Sequence, residues 1–490
     1  MGRSVVVVGA GLGGLCAAIQ MRAAGHDVVV LDKAARVGGT WRENTYPGCA
    51  CDTEVAVYQF SFAPSLEWSH FYPRQPEILA YAENLVERFA LGPCLRLGDE
   101  AVEARWDDAA AHWDVTTRSG ARYRADALVP ALGQLSRPVP PAIPGRASFA
   151  GPAFHSAQWD HGVDLTERRV GVIGSGASAI QLVPEVAEAA GHLTVFQRSA
   201  NWIVPRQDYP VSTTHKALLR SAPQVAVAER EYLYQRADQW LWQAFEWTAE
   251  GRAAYTAFAL DHLHAQVADP VLRARLTPDY PIGCKRILVA DTYYPALQQP
   301  NVELVTQPIA LIVPNGVVTA DGLEHPLDVL VFATGFETTG WHWSLDVAGR
   351  AGRRLADAWR PVPEAYLGIT VAGFPNLFMT YGPNTNLGHN SITFMIERQA
   401  EYAVKALAAL EANDATALEV TAAAQARFNA NLQAALARST WADPGCTSWY
   451  KTTDGRIVQN WSSHTRAYAQ ATRHVDLADY TLTKRRPVAA

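Results

Sequence analysis

Val5-Val6-Val7-Val8-Gly9-Ala10-Gly11-Leu12-Gly13-Gly14 is the stretch on which the fold turns. A run of β-branched residues of this length reads as a strand buried on both faces, the pattern of a parallel sheet covered by helices. The glycines after it spell G-x-G-x-x-G. The first permits a tight turn, the second lets backbone approach an anion, and the third lets helix and strand pack closely. Leu15–Ala24 is Ala-rich and reads as the helix, Gly25 stands at its C-cap, and Val28–Leu31 is the next strand, ending at Asp32 and Lys33. The helix start offers unpaired N–H groups to a pyrophosphate, and Asp32 can accept hydrogen bonds from an adenosine ribose. Gly9, Gly11, Gly14, Asp32 and Lys33 are therefore expected to line a dinucleotide site.

The same plan returns further on. Arg169–Ile173 reads as a strand, Gly174-Ser175-Gly176-Ala177-Ser178-Ala179 as a G-x-G-x-x-A turn, 179–190 as a helix, and Leu193–Phe196 as a strand that ends in Gln197-Arg198. Two copies so far apart are a duplicated supersecondary unit, not a solenoid. Where the first copy has a carboxylate, the second has an arginine, which can pair with a 2′-phosphate that a carboxylate would repel. Gly174, Gly176, Ala179 and Arg198 thus predict NADPH at the second site and FAD at the first, with hydride passing from nicotinamide to flavin.

The expected class is α/β, with two Rossmann-like dinucleotide-binding domains in discontinuous pieces and a helical insertion. The first part of the FAD domain is placed at 1–145 and its second part at 328–490. The NADPH domain takes 146–206 and 283–327, and residues 207–282, with helical spacing and almost no strand signal, form the insertion. Trp106–Val115 and Tyr123–Leu132 read as strands of a sheet insertion. Ser136–Gly145, with Pro138, Pro140, Pro141 and Pro144, reads as a stiff crossing between domains. Further strands are expected at Ile287–Ala290, Val302–Val305, Val317–Thr319 and Val329–Ala333. Residues 395–440 read as helix and the last fifty as irregular.

Composition narrows the function classes. A net charge of −6 argues against a nucleic-acid surface. No apolar run approaches the roughly 18 residues of a membrane span, and the first residues match neither a signal peptide nor a myristoylation site. Six cysteines without a Cys-x-x-Cys pair fit a reducing, cytoplasmic setting. Cys49-Ala50-Cys51 has one intervening residue and is set aside as a redox pair. Fourteen histidines show no H-E-x-x-H spacing, so no metal is inferred. Trp240, Trp242, Phe245 and Trp247 are interleaved with charges, which favours a packed insertion over a membrane-surface patch. Oligomeric state is not legible.

Phe149-Ala150-Gly151-Pro152-Ala153-Phe154-His155-Ser156-Ala157-Gln158-Trp159-Asp160 fits F-x-G-x-x-x-H-x-x-x-W-D. This resembles the fingerprint of the Baeyer–Villiger flavin monooxygenases, carried here by Phe149, Gly151, His155, Trp159 and Asp160. Other strings agree, and the resemblance runs from about Val5 to about Trp461. Gly38-Gly39-Thr40-Trp41 and Tyr46-Pro47-Gly48-Cys49-Ala50-Cys51-Asp52 look like the family's flavin-side loops, which implies cofactor contacts for Gly39, Thr40, Trp41 and Asp52. Gly283-Cys284-Lys285-Arg286 looks like the family's cofactor and catalytic pair, with Lys285 beside Arg198 on the 2′-phosphate and Arg286 over the flavin, contacted by Asp52. Asp328–Phe336 resembles the strand linking the nucleotide domains and implies roles for Thr334 and Gly335. Gly382–Ser391 looks like the loop beneath the flavin, with Asn386 and Leu387, and Trp449 matches a tryptophan near substrate and NADP. The strings R-E-N-T-Y-P-G-C and G-P-N-T-N-L-G-H-N-S are most similar to the 4-hydroxyacetophenone-monooxygenase branch.

The resemblance implies conversion of a ketone to an ester or lactone with O2, through a flavin peroxide kept anionic by Arg286. A fixed cation in a water-poor site meets that demand. Three rivals are open: N- or S-oxygenation by the same chemistry, an NADPH oxidase or reductase that releases H2O2, and a redox sensor without turnover. Which ketone is used is not legible.

Overall fold

The computed structural model describes residues 2–246, 248–338 and 344–484. Ser4–Val8 forms the centre of a four-stranded parallel sheet in the order Leu95–Leu97, Asp27–Asp32, Ser4–Val8, Ala127–Pro130. Val5, Val6, Val7 and Val8 are all buried, and at about 1.5–3 kcal/mol for each aliphatic side chain their burial anchors the sheet. The helix Leu12–Ala23 lies on one face, against the long helix Ile392–Ala412. On the other face Val6, Val8 and Leu31 meet Trp106 and Trp113 of an antiparallel layer, Ala101–Asp107, His112–Thr117 and Arg122–Ala125.

A second, five-stranded parallel sheet has the order Val302–Val305, His192–Phe196, Arg169–Ile173, Val329–Phe332, Ala153–His155. Its helix, Ala177–Ala189, follows the second glycine turn. The duplication extends to a detail of packing. Gly9 (φ +111°) and Gly174 (φ +125°) each lie so close to the next sheet strand that a Cβ would meet the carbonyl oxygen of Ala131 at 2.4 Å and of Ala333 at 2.3 Å. A Cβ at Gly14 would stand 1.7 Å from the Gly9 carbonyl oxygen. Gly14→Ala must therefore separate helix from strand, and we expect the melting temperature to fall by several degrees or the chain to fail to fold. An unchanged melt would show that this contact is soft.

Three expectations are corrected. Val329–Phe332 lies in the second sheet, paired with Arg169–Ile173, although the sequence placed 328 onward with the first unit. An all-apolar strand carries no mark of which sheet it joins. Residues 395–440 are not one helix: Asp414 (φ +46°) follows the end of the helix at Ala412, and Ala415–Val420 is a strand. Its partner is Tyr480–Lys484, antiparallel, in the tail read as irregular. Thr421 caps the next helix, Ala422–Leu436, by accepting from the N–H of Ala424. The third concerns cysteine, since Cys284 and Cys446 form a disulfide across a sequence separation of 162.

Between 207 and 282 the chain is helical, at Thr213–Ser221, Pro223–Gln239, Ala249–Gln266 and Pro270–Leu276. Trp242 and Phe245 are buried against Trp441, while Trp240 is 48% exposed, so the aromatic series is mostly core; Trp247 lies outside the described residues. No helix among the described residues is long and apolar enough to cross a membrane. Two crossings join the sheets side by side: the Val139 N–H donates to Gly335 O (3.0 Å) and the Glu337 N–H to Arg137 O (2.9 Å). The proline-rich segment is thus one strand of a paired strap.

Candidate active site

The second unit's helix docks on a loop of the first. Gln181 accepts from the Tyr46 hydroxyl (2.9 Å) and donates to the Ala50 carbonyl (3.0 Å), and a Cβ at Gly48 would meet Gln181 O at 2.5 Å. Two residues beyond Ala50 stands Asp52. Its carboxylate grips Arg286 from two sides, Nε to Oδ2 at 3.0 Å and Nη2 to Oδ1 at 2.9 Å. The third guanidinium nitrogen, Nη1, donates to the Leu387 carbonyl (3.1 Å). Arg286 is thus clamped between the Tyr46–Asp52 loop of the first unit and the Gly382–Ser391 loop, with its side chain 27% exposed. Burial works against its charge, but Asp52 overrides that and holds the guanidinium above its ordinary value. The tyrosines around it are Tyr450 and Tyr381. Burial lifts the Tyr450 hydroxyl to about 12, against the opposing pull of Arg286.

The glycine turns make two bare cradles. Gly39 (φ +53°) and Gly11 face each other so closely that a Cβ on Gly39 would meet Gly11 Cα at 2.9 Å, and Thr40 and Trp41 follow at the start of a short helix. Trp41 donates through Nε1 to Tyr58 Oη (3.0 Å). Asp32 is buried and already accepts from the Ala10 N–H (2.7 Å) and the Ala34 N–H (2.9 Å), so it braces the turn from within, while Lys33 is exposed. At the second turn a Cβ on Gly176 would meet nothing within 4 Å, and Ala179 is buried. Arg198 is exposed nearby. Lys285 donates to Ser199 Oγ (2.9 Å) and lies 4.2 Å from the centroid of the Tyr280 ring. Burial first, and Arg198 second, lower the Lys285 ammonium, as expected of two cations sharing one region.

The fingerprint residues lie on the second sheet and its edge. His155 is buried, accepts at Nδ1 from the Ala157 N–H (3.1 Å) and so donates through Nε2 to Gly335 O (3.0 Å). Burial lowers its pKa, which favours this neutral form. Gly151 sits where a Cβ would meet Asp328 O at 2.2 Å, and Phe149 joins the core under the sheet. Trp159 packs edge-on against Phe154 (5.2 Å), and Asp160 caps its own turn through Gly162. Thr334 donates to Val139 O (2.7 Å). Asn386 is held by Tyr381 and Asn460, both at 2.7 Å, and Trp449 is 38% exposed beside Tyr450. The structure therefore gathers Asp52, Arg286 and Leu387 directly, and Arg198 with Lys285 separately.

Sequence reasoning missed Gln181 and a buried hub on the insertion. Asp238 accepts from His389 Nε2 (3.0 Å), Asn390 Nδ2 (2.9 Å) and Thr465 Oγ1 (2.7 Å). Burial alone would raise this carboxyl, but the donors from His389, Thr465 and Asn390 reverse it and hold it well below the carboxylate range. Its contribution is thus present above the unfolded value of about 3.9 and is lost as pH falls. Asp238→Ala is expected to cost about 3–5 kcal/mol, read as a lower melting temperature at pH 7. A variant as heat-stable as its parent would show that the donors find other acceptors. No spacing rule links an aspartate to donors 151 and 227 residues away.

Two nucleotide-type turns on two parallel sheets, bridged at one arginine–carboxylate pair, define a two-site oxidoreductase, and residues 3–230 match the family model of pyridine nucleotide-disulphide oxidoreductases. The disulfide of that name has no counterpart at Cys49 and Cys51, which are free and buried. The chain is 42% identical over 481 residues to a Baeyer–Villiger monooxygenase of Pseudomonas aeruginosa, covering 98% of this chain and 91% of that one. It is 42% identical over 485 residues to a Baeyer–Villiger monooxygenase of Streptomyces coelicolor, covering 99% and 93%. Among solved structures it superposes on an oxidised steroid monooxygenase bound to NADP with a TM-score of 0.88 at 33% identity, covering 99% and 100%. The chain belongs to the Baeyer–Villiger monooxygenase family.

Proposed function

We propose that this chain holds FAD on its first glycine turn and NADPH on its second, and uses O2 to convert a small-molecule ketone into an ester or lactone. The single observation that carries the reading is the Arg286 guanidinium, held bidentately by Asp52 at the junction of the two units. FAD, reduced by NADPH, supplies the electrons that activate O2. The bare backbone at Gly11 and Gly39 suits a pyrophosphate, with Gly14 packing helix against strand behind it, and the open approach at Gly176, with Arg198 and Lys285 beyond it, suits a second nucleotide carrying a 2′-phosphate. In domain terms, the strands around Ser4–Val8 with the C-terminal part make the FAD unit, and those around Arg169–Ile173 the NADPH unit.

Arg286 stays charged at any working pH and aims donors along fixed directions, so it stabilises negative charge that develops on oxygen during transfer to the ketone. Asp52 orients it and balances part of its charge. Leu387 O fixes the remaining nitrogen, which sets the distance between Arg286 and the Gly382–Ser391 loop. Trp449, half exposed, is placed to border the substrate, and the branch assignment to 4-hydroxyacetophenone-type enzymes rests on the two strings that carry it. The test is a panel of cyclic, linear and aryl ketones offered beside a thioether, with NADPH consumption and product identification. Esters or lactones support the reading. Sulfoxide alone, or H2O2 alone with every ketone, would replace it.

A further inference from the structure

The Cys284–Cys446 disulfide joins two irregular segments that both carry site residues. Cys284 immediately precedes Lys285 and Arg286, and Cys446 stands three residues before Trp449. Both half-cystines are buried, at 0% and 2% exposure, with Cα atoms 5.4 Å apart. Each segment is held from its far side by the insertion. A Cβ at Gly283 (φ +83°) would meet Ala244 O at 2.6 Å, and Asp443 pairs with Arg252 at 3.2 Å. In segments without a hydrogen-bonded ladder, side-chain placement depends on few contacts, so a covalent tie there restricts motion more than it would in a helix or sheet.

We propose that this disulfide is a positioning link for oxygen transfer: it holds the Lys285–Arg286 segment against the Trp449 segment, and its oxidation state sets how often activated oxygen reaches the ketone. The proposal rests on the monooxygenase reading for its effect on the reaction, but not for the bond itself. A peroxide oxidant closes it. Two thiols give up two electrons and two protons, hydrogen peroxide takes them with cleavage of its O–O bond, and two waters leave as the S–S bond forms. Hydrogen peroxide is what escapes the site when transfer to the ketone fails. The reduced, looser enzyme would therefore generate the reagent that tightens it. A dithiol reductant reverses the step. Cys16, Cys49, Cys51 and Cys94 are free and lie outside the bond.

The test uses the full-length holoenzyme. Purified without reductant, treated with hydrogen peroxide, denatured and alkylated, it is expected to show four labelled cysteines and a linked peptide pair containing Cys284 and Cys446. Six labelled cysteines after peroxide treatment would overturn the proposal. Cys284→Ser and Cys446→Ser are each expected to raise hydrogen–deuterium exchange several-fold in peptides covering 284–290 and 446–452, with more H2O2 released per NADPH when ketone is present. Wild-type enzyme reduced with a phosphine is expected to behave like the serine variants, which guards against a folding defect in either. A bond that forms without changing exchange or H2O2 release would overturn the positioning role. Exchange that rises as expected in an enzyme making no ester from any ketone would count against the functional reading and leave the link in place.

Discussion

Arg286→Ala is expected to form ester or lactone about a hundred to a thousand times more slowly than its parent while NADPH still reduces the bound flavin. The magnitude follows from what is removed: an always-charged donor set aimed into a partly dehydrated site, worth about 2.7–4 kcal/mol when a comparable donor is deleted elsewhere. The selectivity follows from geometry. Arg286 touches Asp52 and Leu387, whereas the cations proposed for the nucleotide phosphate, Arg198 and Lys285, lie together elsewhere. Loss of the guanidinium also leaves Asp52 as an unbalanced carboxylate beside the site, so alanine harms by repulsion as well as by absence. Arg286→Lys should recover little, because an ammonium cannot span both Asp52 oxygens and the Leu387 carbonyl. Product analysis with parallel flavin-reduction kinetics checks this. Ester formation at the parent rate would remove Arg286 from the reaction.

Arg198→Ala combined with Lys285→Ala is expected to raise the KM for NADPH by about a hundredfold or more and to leave that for NADH nearly unchanged. Each charge-assisted contact to a phosphate is worth about 1.5–3 kcal/mol, and two neighbours sharing one ligand do not add fully. Burial and Arg198 both depress the Lys285 ammonium in the absence of an anion, so a dianionic phosphate relieves a repulsion as well as making new contacts. Steady-state kinetics with both cofactors decide the matter. Proportional losses with NADPH and NADH would place the two cations outside the 2′-phosphate site.

What could be read from the chain beforehand was local. Val5–Val8 and the glycine turns each declare themselves through neighbours in sequence, because a buried strand and a tight turn are short-range objects. The Baeyer–Villiger resemblance added Arg286 and Asp52, 234 residues apart, which no spacing argument would have paired. Hidden from the sequence was everything settled by tertiary choice. Val329–Phe332 could have extended either sheet. Ala415–Val420 is mostly buried and sits between two Ala-rich helices whose composition masks it. Gln181, Asp238 and the Cys284–Cys446 bond depend on which distant segments meet.

The Gly335 carbonyl receives the His155 imidazole N–H at 3.0 Å and the Val139 main-chain N–H at 3.0 Å. One oxygen therefore ties the two strands of the strap to the second sheet: His155 of that sheet donates to it through the imidazole, and the proline-stiffened connection donates to it through the backbone. Any displacement of one unit against the other would strain these two bonds together with the Gln181 contacts to Tyr46 and Ala50 and the Asp52–Arg286 pair. The fingerprint histidine thus braces the connection between the halves and makes no contact with the Arg286 clamp.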